Sequence, residues 1–178
     1  ESVRMDSLVG ELLTLSRLEA GVMGGAEEDI DLGELLAEIV ADARFEAEAG
    51  GRGVEFSGCG EIHVRGRAEL LHRALENVLR NALRHTPEGG KAVLEVHADA
   101  GGNSLRLAIL DQGPGVPEKE LDLIFEPFFR GGGAQSTDGH GLGLAIARRV
   151  VEAHGGSVRA SNRAGGGLCV EIVLPVPG

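Results

Sequence analysis

Gly139-His140-Gly141-Leu142-Gly143-Leu144 leads into an apolar-periodic stretch that ends near His154. Glycines ahead of a helix start leave bare amide N–H groups beside the positive end of the helix dipole. That arrangement suits an oligophosphate. Asn77 and Asn81 lie four residues apart, beside the apolar stripe Leu71, Leu75, Val78 and Ala82, so their side chains share one helix face. Asn competes with the helix for backbone hydrogen bonds. Two at the border of a core either supply amide oxygens to Mg2+, a hard cation, or are simply solvated. Arg84 and His85 extend the face by a turn, and Arg84 either reaches a phosphate or ends the helix in solvent. Glu76 points away from the stripe and pairs with Arg80 at i,i+4, with a supporting catalytic role as the alternative.

Asp111-Gln112-Gly113-Pro114-Gly115 directly follows a strand pattern. A carboxylate at a strand end can accept a hydrogen bond from an exocyclic amine such as that of adenine. Gly113 and Gly115 would let a flat ring approach the backbone. Asp and Gly also build ordinary turns. Phe125-Glu126-Pro127-Phe128-Phe129-Arg130 holds three of the five Phe residues, just ahead of a loop over 131–139. It reads as the anchored hinge of a lid, with Arg130 available to a phosphate, or as a satellite hydrophobic cluster.

The elements that must position these residues follow from periodicity. Residues 1–20 predict a helix with Met5, Leu8, Leu12 and Leu15 in 3-4-3 spacing, which needs the domain or a second copy as partner. A polar linker follows. Asp31 caps a helix to Ala49, with Glu34 at the capping-box position. Residues 54–56 and 62–64 predict short strands, 67–84 a helix, and 92–96 and 105–109 a hairpin. Residues 117–124 predict a short helix, and 157–161 with 168–174 a closing strand pair. Hairpins mixed with helices favour an α/β sandwich on a mixed or largely antiparallel sheet. We divide the chain into an N-terminal helical segment over 1–23, a linker over 24–30 and an α/β domain over 31–178.

Bulk properties narrow the function. A net charge of −11 argues against a nucleic-acid or anionic-membrane surface, so an anion must be held by a local site. With 3% aromatic residues and no Trp or Tyr, the core is aliphatic. Cys59 and Cys169 lack metal or redox spacing and read as reduced, buried thiols. The six histidines are scattered without a metal-ligand or nucleophile constellation. G-x-x-x-x-G-K-[ST] is absent, and the glycine run follows a polar loop rather than the strand a Rossmann unit requires. There is no signal peptide or apolar run of membrane-spanning length. The chain opens on Glu1, which leads us to expect a piece of a longer protein with membrane segments upstream.

Taken in order, the segments resemble the catalytic and ATP-binding domain of sensor histidine kinases, a GHKL-superfamily domain. Glu76 to Ala82 match the asparagine box; Asp111, Gly113 and Gly115 the first glycine box; Phe125 to Phe129 the phenylalanine box; Gly139, Gly141 and Gly143 the second glycine box. The resemblance implies a two-layer Bergerat-type sandwich, with ATP between the helices and a lid. It implies that Asn81 with Asn77 holds Mg2+, that Asp111 binds the adenine amine, and that Arg84 and Arg130 meet phosphate oxygens. It also implies that the amides at Gly141 and Leu142 cap the phosphate tail. His85 stands where the family often has an aromatic beside the nucleotide. Residues 12–21 look like the end of the family's dimerisation and phosphoacceptor hairpin, but no His has the phosphoacceptor context. The implied reaction is γ-phosphoryl transfer to a His on that hairpin, then to a response regulator, in a membrane-anchored homodimer whose catalytic domain is cytoplasmic. Related ATPases carry a catalytic Glu four residues before the Mg2+ Asn, where this chain has Asn77. A degenerate nucleotide sensor is the non-enzymatic alternative.

Overall fold

A computed structural model describes residues 2–130 and 140–177. In chain order the elements are α1 (Ser2–Glu19), β1 (Glu28–Asp31), α2 (Leu32–Ala49), β2 (Gly53–Glu55), β3 (His63–Gly66) and α3 (Ala68–His85). Then come β4 (Lys91–Ala98), β5 (Ser104–Leu110), α4 (Gly143–Ala153), β6 (Ser157–Asn162) and β7 (Leu168–Pro175). The main sheet runs β2-β4-β5-β7-β6; β2 pairs with β4 in parallel and the other pairs are antiparallel. β1 and β3 form a separate antiparallel pair.

One face of the sheet is covered by helices. Leu168, Val170, Ile172 and Leu174 alternate inward along β7, as do Leu105, Leu107 and Ile109 along β5. They pack on the buried stripes of α3 (Leu71, Leu75, Val78, Ala82) and α4 (Ala145, Ile146, Val150) in one aliphatic core. The expected α/β sandwich is the fold observed. Asp31 caps α2 by accepting from the Glu34 amide at 3.2 Å.

Three expectations need correction. Residues 28–31 are not plain linker and cap: they form β1, because β3 lies alongside and supplies antiparallel partners from His63 to Gly66. Residues 117–124 make two 3-10 turns, 118–120 and 123–125, rather than one helix, since Pro117 and Pro127 leave too little chain to propagate one. The stripe on α1 also divides. Leu15 and Leu18 are buried and Leu8 packs beside them, whereas Met5, Val9, Leu12 and Leu13 face outward. The loop expected over 131–139 lies outside the described residues.

His154 fastens the helical layer. Its Nδ1 donates to the Val150 carbonyl at 2.7 Å, and its Nε2 accepts from the Arg67 amide at 3.0 Å, at the N-cap of α3. One ring nitrogen donates and the other accepts, so the ring is the neutral Nδ1–H tautomer. His154→Ala leaves the Arg67 N–H without its acceptor. It is expected to cost about 1–3 kcal/mol, read as a lowered urea midpoint. On the surface, His63 lies 2.9 Å from Asp29 and 3.1 Å from Glu61. The Glu61 hydrogen bond, reinforced by Asp29, raises the His63 pKa above its ordinary 6.5. A raised folded-state pKa gives a contribution that is complete below the unfolded value and lost as pH rises through the folded one. An NMR titration should place the His63 midpoint above 6.5, and Glu61→Gln should lower it.

Candidate functional site

α4 begins with no side chain capping it and no acidic residue in its first turn. Its leading amides have no hydrogen-bond acceptor among the described residues, and the helix dipole adds positive potential there. Gly141 turns the chain into this start at φ 75°, and its carbonyl accepts from the Phe128 amide at 2.8 Å. A Cβ on Gly141 would lie 2.9 Å from Phe128 Cα, so only glycine fits. Phe128 itself is held at φ 66°, a left-handed conformation that costs roughly 1–2 kcal/mol outside glycine and is imposed here by that contact. Leu142 is fully buried, anchoring the turn in the core. Phe125 is buried under the Arg148 guanidinium, 5.7 Å from its ring centre, whereas Phe128 is exposed. Of the segment's phenylalanines, Phe125 is the one buried in the core.

α3 brings both asparagines to the α4 start. Asn77 Nδ2 donates to the Gly143 carbonyl at 3.1 Å. That bond fixes the amide plane and leaves Oδ1 as a hard oxygen donor. Asn81 is half-buried, and its side chain makes no hydrogen bond among the described residues. Arg84 and His85 are exposed on the last turn, where His85 Nδ1 donates to the Asn81 carbonyl at 2.9 Å. Glu76 pairs with Arg80 at 3.5 Å, as its i,i+4 spacing predicts. Arg130 is exposed at the end of the phenylalanine segment.

Asp111 closes the site on the sheet side. It is 3% exposed, and its Oδ1 accepts from the Gly113 amide at 2.9 Å and the Leu168 amide at 3.0 Å. Two backbone donors on one oxygen hold the carboxylate rigid and leave Oδ2 without a hydrogen bond among the described residues. The loop beyond it presses on α3: a Cβ on Gly113 would lie 2.5 Å from the His85 carbonyl. The asparagine helix therefore adjoins the α4 start at Asn77 and the Asp111 loop at His85. Gly139 lies outside the described residues.

Sequence reasoning missed a clamp around Asp111. The Asp111 amide donates to the Leu168 carbonyl at 2.9 Å, and Arg163 Nη1 donates to the Asp111 carbonyl at 2.6 Å. Asn162 imitates a strand partner for Val116, accepting its N–H at 2.9 Å and donating to its C=O at 2.7 Å. The triple glycine at 165–167 was the available signal for this turn.

Other groups stand apart. Cys59 and Cys169 are half-exposed rather than buried, since each sits on an open surface of loop or sheet. Burial first, then nearby Asp31 or Glu171, still pushes both thiols up, which favours the protonated form. Among the described residues no His, Cys, Asp or Glu group is placed to hold a metal, and no helix is long and apolar enough to cross a membrane. A cavity of about 460 Å³ between β3, the β4–β5 turn and the C-terminal Val176 contains none of the site residues.

A mixed sheet beneath helices, with a bare helix start beside paired asparagines, defines a Bergerat-type sandwich. The signature of the family described as "Histidine kinase-, DNA gyrase B-, and HSP90-like ATPase" matches residues 66–178. Sensor protein SphS of Synechococcus elongatus is 37% identical over 98% of this chain and 44% of its own length. The chain thus spans less than half of that relative. The solved mycobacterial sensor histidine kinase MprB is 35% identical with a TM-score of 0.75, over 84% of this chain and 98% of that one. Full-length ShkA in complex with AMPPNP is 28% identical with a TM-score of 0.82, over 98% of this chain and 36% of that one. The chain belongs to the histidine kinase-, DNA gyrase B- and HSP90-like ATPase family, as an ATP-binding catalytic domain of the sensor histidine kinase kind.

The clamp yields a prediction. A Cβ on Gly167 would lie 2.2 Å from the Asp111 carbonyl, at φ 104°. Gly167→Ala must displace the turn. It is expected to lose about 2 kcal/mol or more in denaturant unfolding and to speed hydrogen exchange at the Leu168 amide.

Proposed function

We propose that this chain binds Mg-ATP and transfers its γ-phosphoryl group to a histidine on a dimerisation hairpin, for relay to a response regulator. The observation that carries the reading is the uncapped start of α4 held against Asn77, with a second asparagine one turn along α3 whose side chain makes no hydrogen bond among the described residues. Asn81 and Asn77 Oδ1 offer amide oxygens suited to Mg2+, which would neutralise charge on the phosphates when bound. The Gly141, Leu142 and Gly143 backbone offers N–H donors to the phosphate chain, and Arg84 and Arg130 add charge. Gly139 belongs to the same proposed phosphate box. Asp111 Oδ2 takes the adenine amine, with Gly113 and Gly115 allowing the ring close approach. His85 flanks the nucleotide. The AMPPNP bound to ShkA, a structural relative, supports a nucleotide in this cleft.

Phosphoryl transfer asks mainly for positioning and charge neutralisation. The catalytic set we propose is Asn77, Asn81 and Arg130. Residues 1–23 are read as the end of the dimerisation hairpin and 31–178 as the catalytic domain, with β1 (Glu28–Asp31) tying the segment expected as a linker over 24–30 to that domain. The phosphoacceptor His, the homodimer contact and a membrane anchor are assigned to the rest of a longer protein.

Calorimetric titration with AMPPNP tests the site. Wild type should bind in a Mg2+-dependent manner. Asn81→Ala should lose at least tenfold in affinity in Mg2+, a loss of about 1.4 kcal/mol or more. Equal affinity of the two proteins would remove Asn81 from the site. Incubation with ATP and a separate His-bearing hairpin should then produce an acid-labile phosphohistidine on the hairpin.

A further inference from the structure

Glu11 occupies a position on α1 that periodicity reserves for an apolar side chain. The docked face runs Leu8, Glu11, Leu15, Leu18, in the 3-4-3 spacing of a helix stripe, and Leu15 and Leu18 are buried. A polar residue in such a stripe calls for a specific partner. The partner is His140, 129 residues away, whose Nδ1 lies 2.9 Å from Glu11 Oε1. A carboxylate only accepts, so His140 donates from Nδ1. The two side chains are 23% and 27% exposed, which sets this contact apart from a solvated surface pair. His140 immediately precedes Gly141, whose turn opens α4. One turn along α1, Thr14 Oγ1 accepts from Arg73 Nη1 at 2.9 Å, fixing the rotation of α1 against α3.

We propose that Glu11 is a positioning residue of the nucleotide site. Through His140 it restrains the 140–142 turn in the conformation that aims its amides at the phosphate chain, and it thereby couples the seating of α1 to nucleotide binding. This rests on the ATP-binding reading above. The coupling is reciprocal: if a seated α1 favours the nucleotide, the nucleotide favours a seated α1 by the same factor.

The test uses the full chain, with Mg-AMPPNP as probe. Affinity is measured by calorimetry for wild type, Glu11→Ala, Glu11→Gln and Arg73→Ala, with thermal midpoints alongside. Hydrogen exchange of α1 is followed with and without the probe. We expect Glu11→Ala to weaken binding roughly 5- to 20-fold, within the range of ordinary coupling energies. Glu11→Gln keeps an oxygen acceptor for His140 and should recover most of the affinity. The probe should slow exchange in α1 of wild type and do so much less in Glu11→Ala. Arg73→Ala loosens α1 without touching His140 and should weaken binding less than Glu11→Ala.

A Glu11→Ala affinity within twofold of wild type overturns the proposal. So does an equal loss in Arg73→Ala, which would assign the effect to helix docking in general. Should Glu11→Ala fail to fold, Glu11→Gln decides: affinity as poor as that of a His140→Ala variant counts against a hydrogen-bond role, and near-wild-type affinity supports it. Absence of Mg-AMPPNP binding by wild type would overturn the ATP-binding reading and this proposal together. Wild-type binding with an indifferent Glu11 overturns only the latter.

Discussion

The hydrogen bond from Asn77 to the Gly143 carbonyl sets the geometry on which the site depends. A helix start that is to receive an anion must leave its amides unpaired, and unpaired amides do not hold a chain in place. The usual solution, a Ser, Thr or Asp cap, would occupy the donors. Here the restraint comes from the carbonyl side: Asn77 grips Gly143 O, and Leu142 plugs into the core. Nothing large separates the helices there, since Gly143 lies against Asn77 with room for ordinary van der Waals contact. The α3–α4 contact is therefore both core packing and site construction.

On the sheet side, rigidity is built from backbone donors. Asp111 is buried and its Oδ1 is satisfied twice, so the carboxylate cannot rotate without breaking bonds to Gly113 and Leu168. Leu168 also accepts from the Asp111 amide, and Arg163 adds a fourth hydrogen bond at the Asp111 carbonyl. A buried charge is tolerated when it is hydrogen-bonded in this way. The arrangement fixes the direction of the remaining oxygen.

α1 joins this assembly from outside. It packs on α4 through Leu8, Leu15 and Leu18, and its polar contacts reach α3 at Arg73 and the turn before α4 at His140. α1 thus touches both α3 and the turn that opens α4, and any shift of α1 must rearrange a contact within one residue of Gly141.

Periodicity and local chemistry determined much of this protein. The alternation of β5 and β7, the stripes of α3 and α4 and the Asp31 cap are all written in short-range patterns, because helix and strand each bury one face. The four boxes were legible because each is a cluster of unusual residues within a few positions: paired Asn in a helix, Asp-x-Gly-x-Gly after a strand, crowded Phe, spaced glycines. β1 was not legible, since a four-residue polar strand forms only when β3 lies beside it. His154, Arg163, Asn162, Glu11 and His140 were equally silent. Each looks like a lone polar residue until folding sets it against a partner, 129 residues distant for Glu11 and His140. The sequence by itself determined the family resemblance and the residues we propose for an oligophosphate and a base. Only the tertiary structure decided how they are held, because a hydrogen bond between distant segments has no period and leaves no local trace.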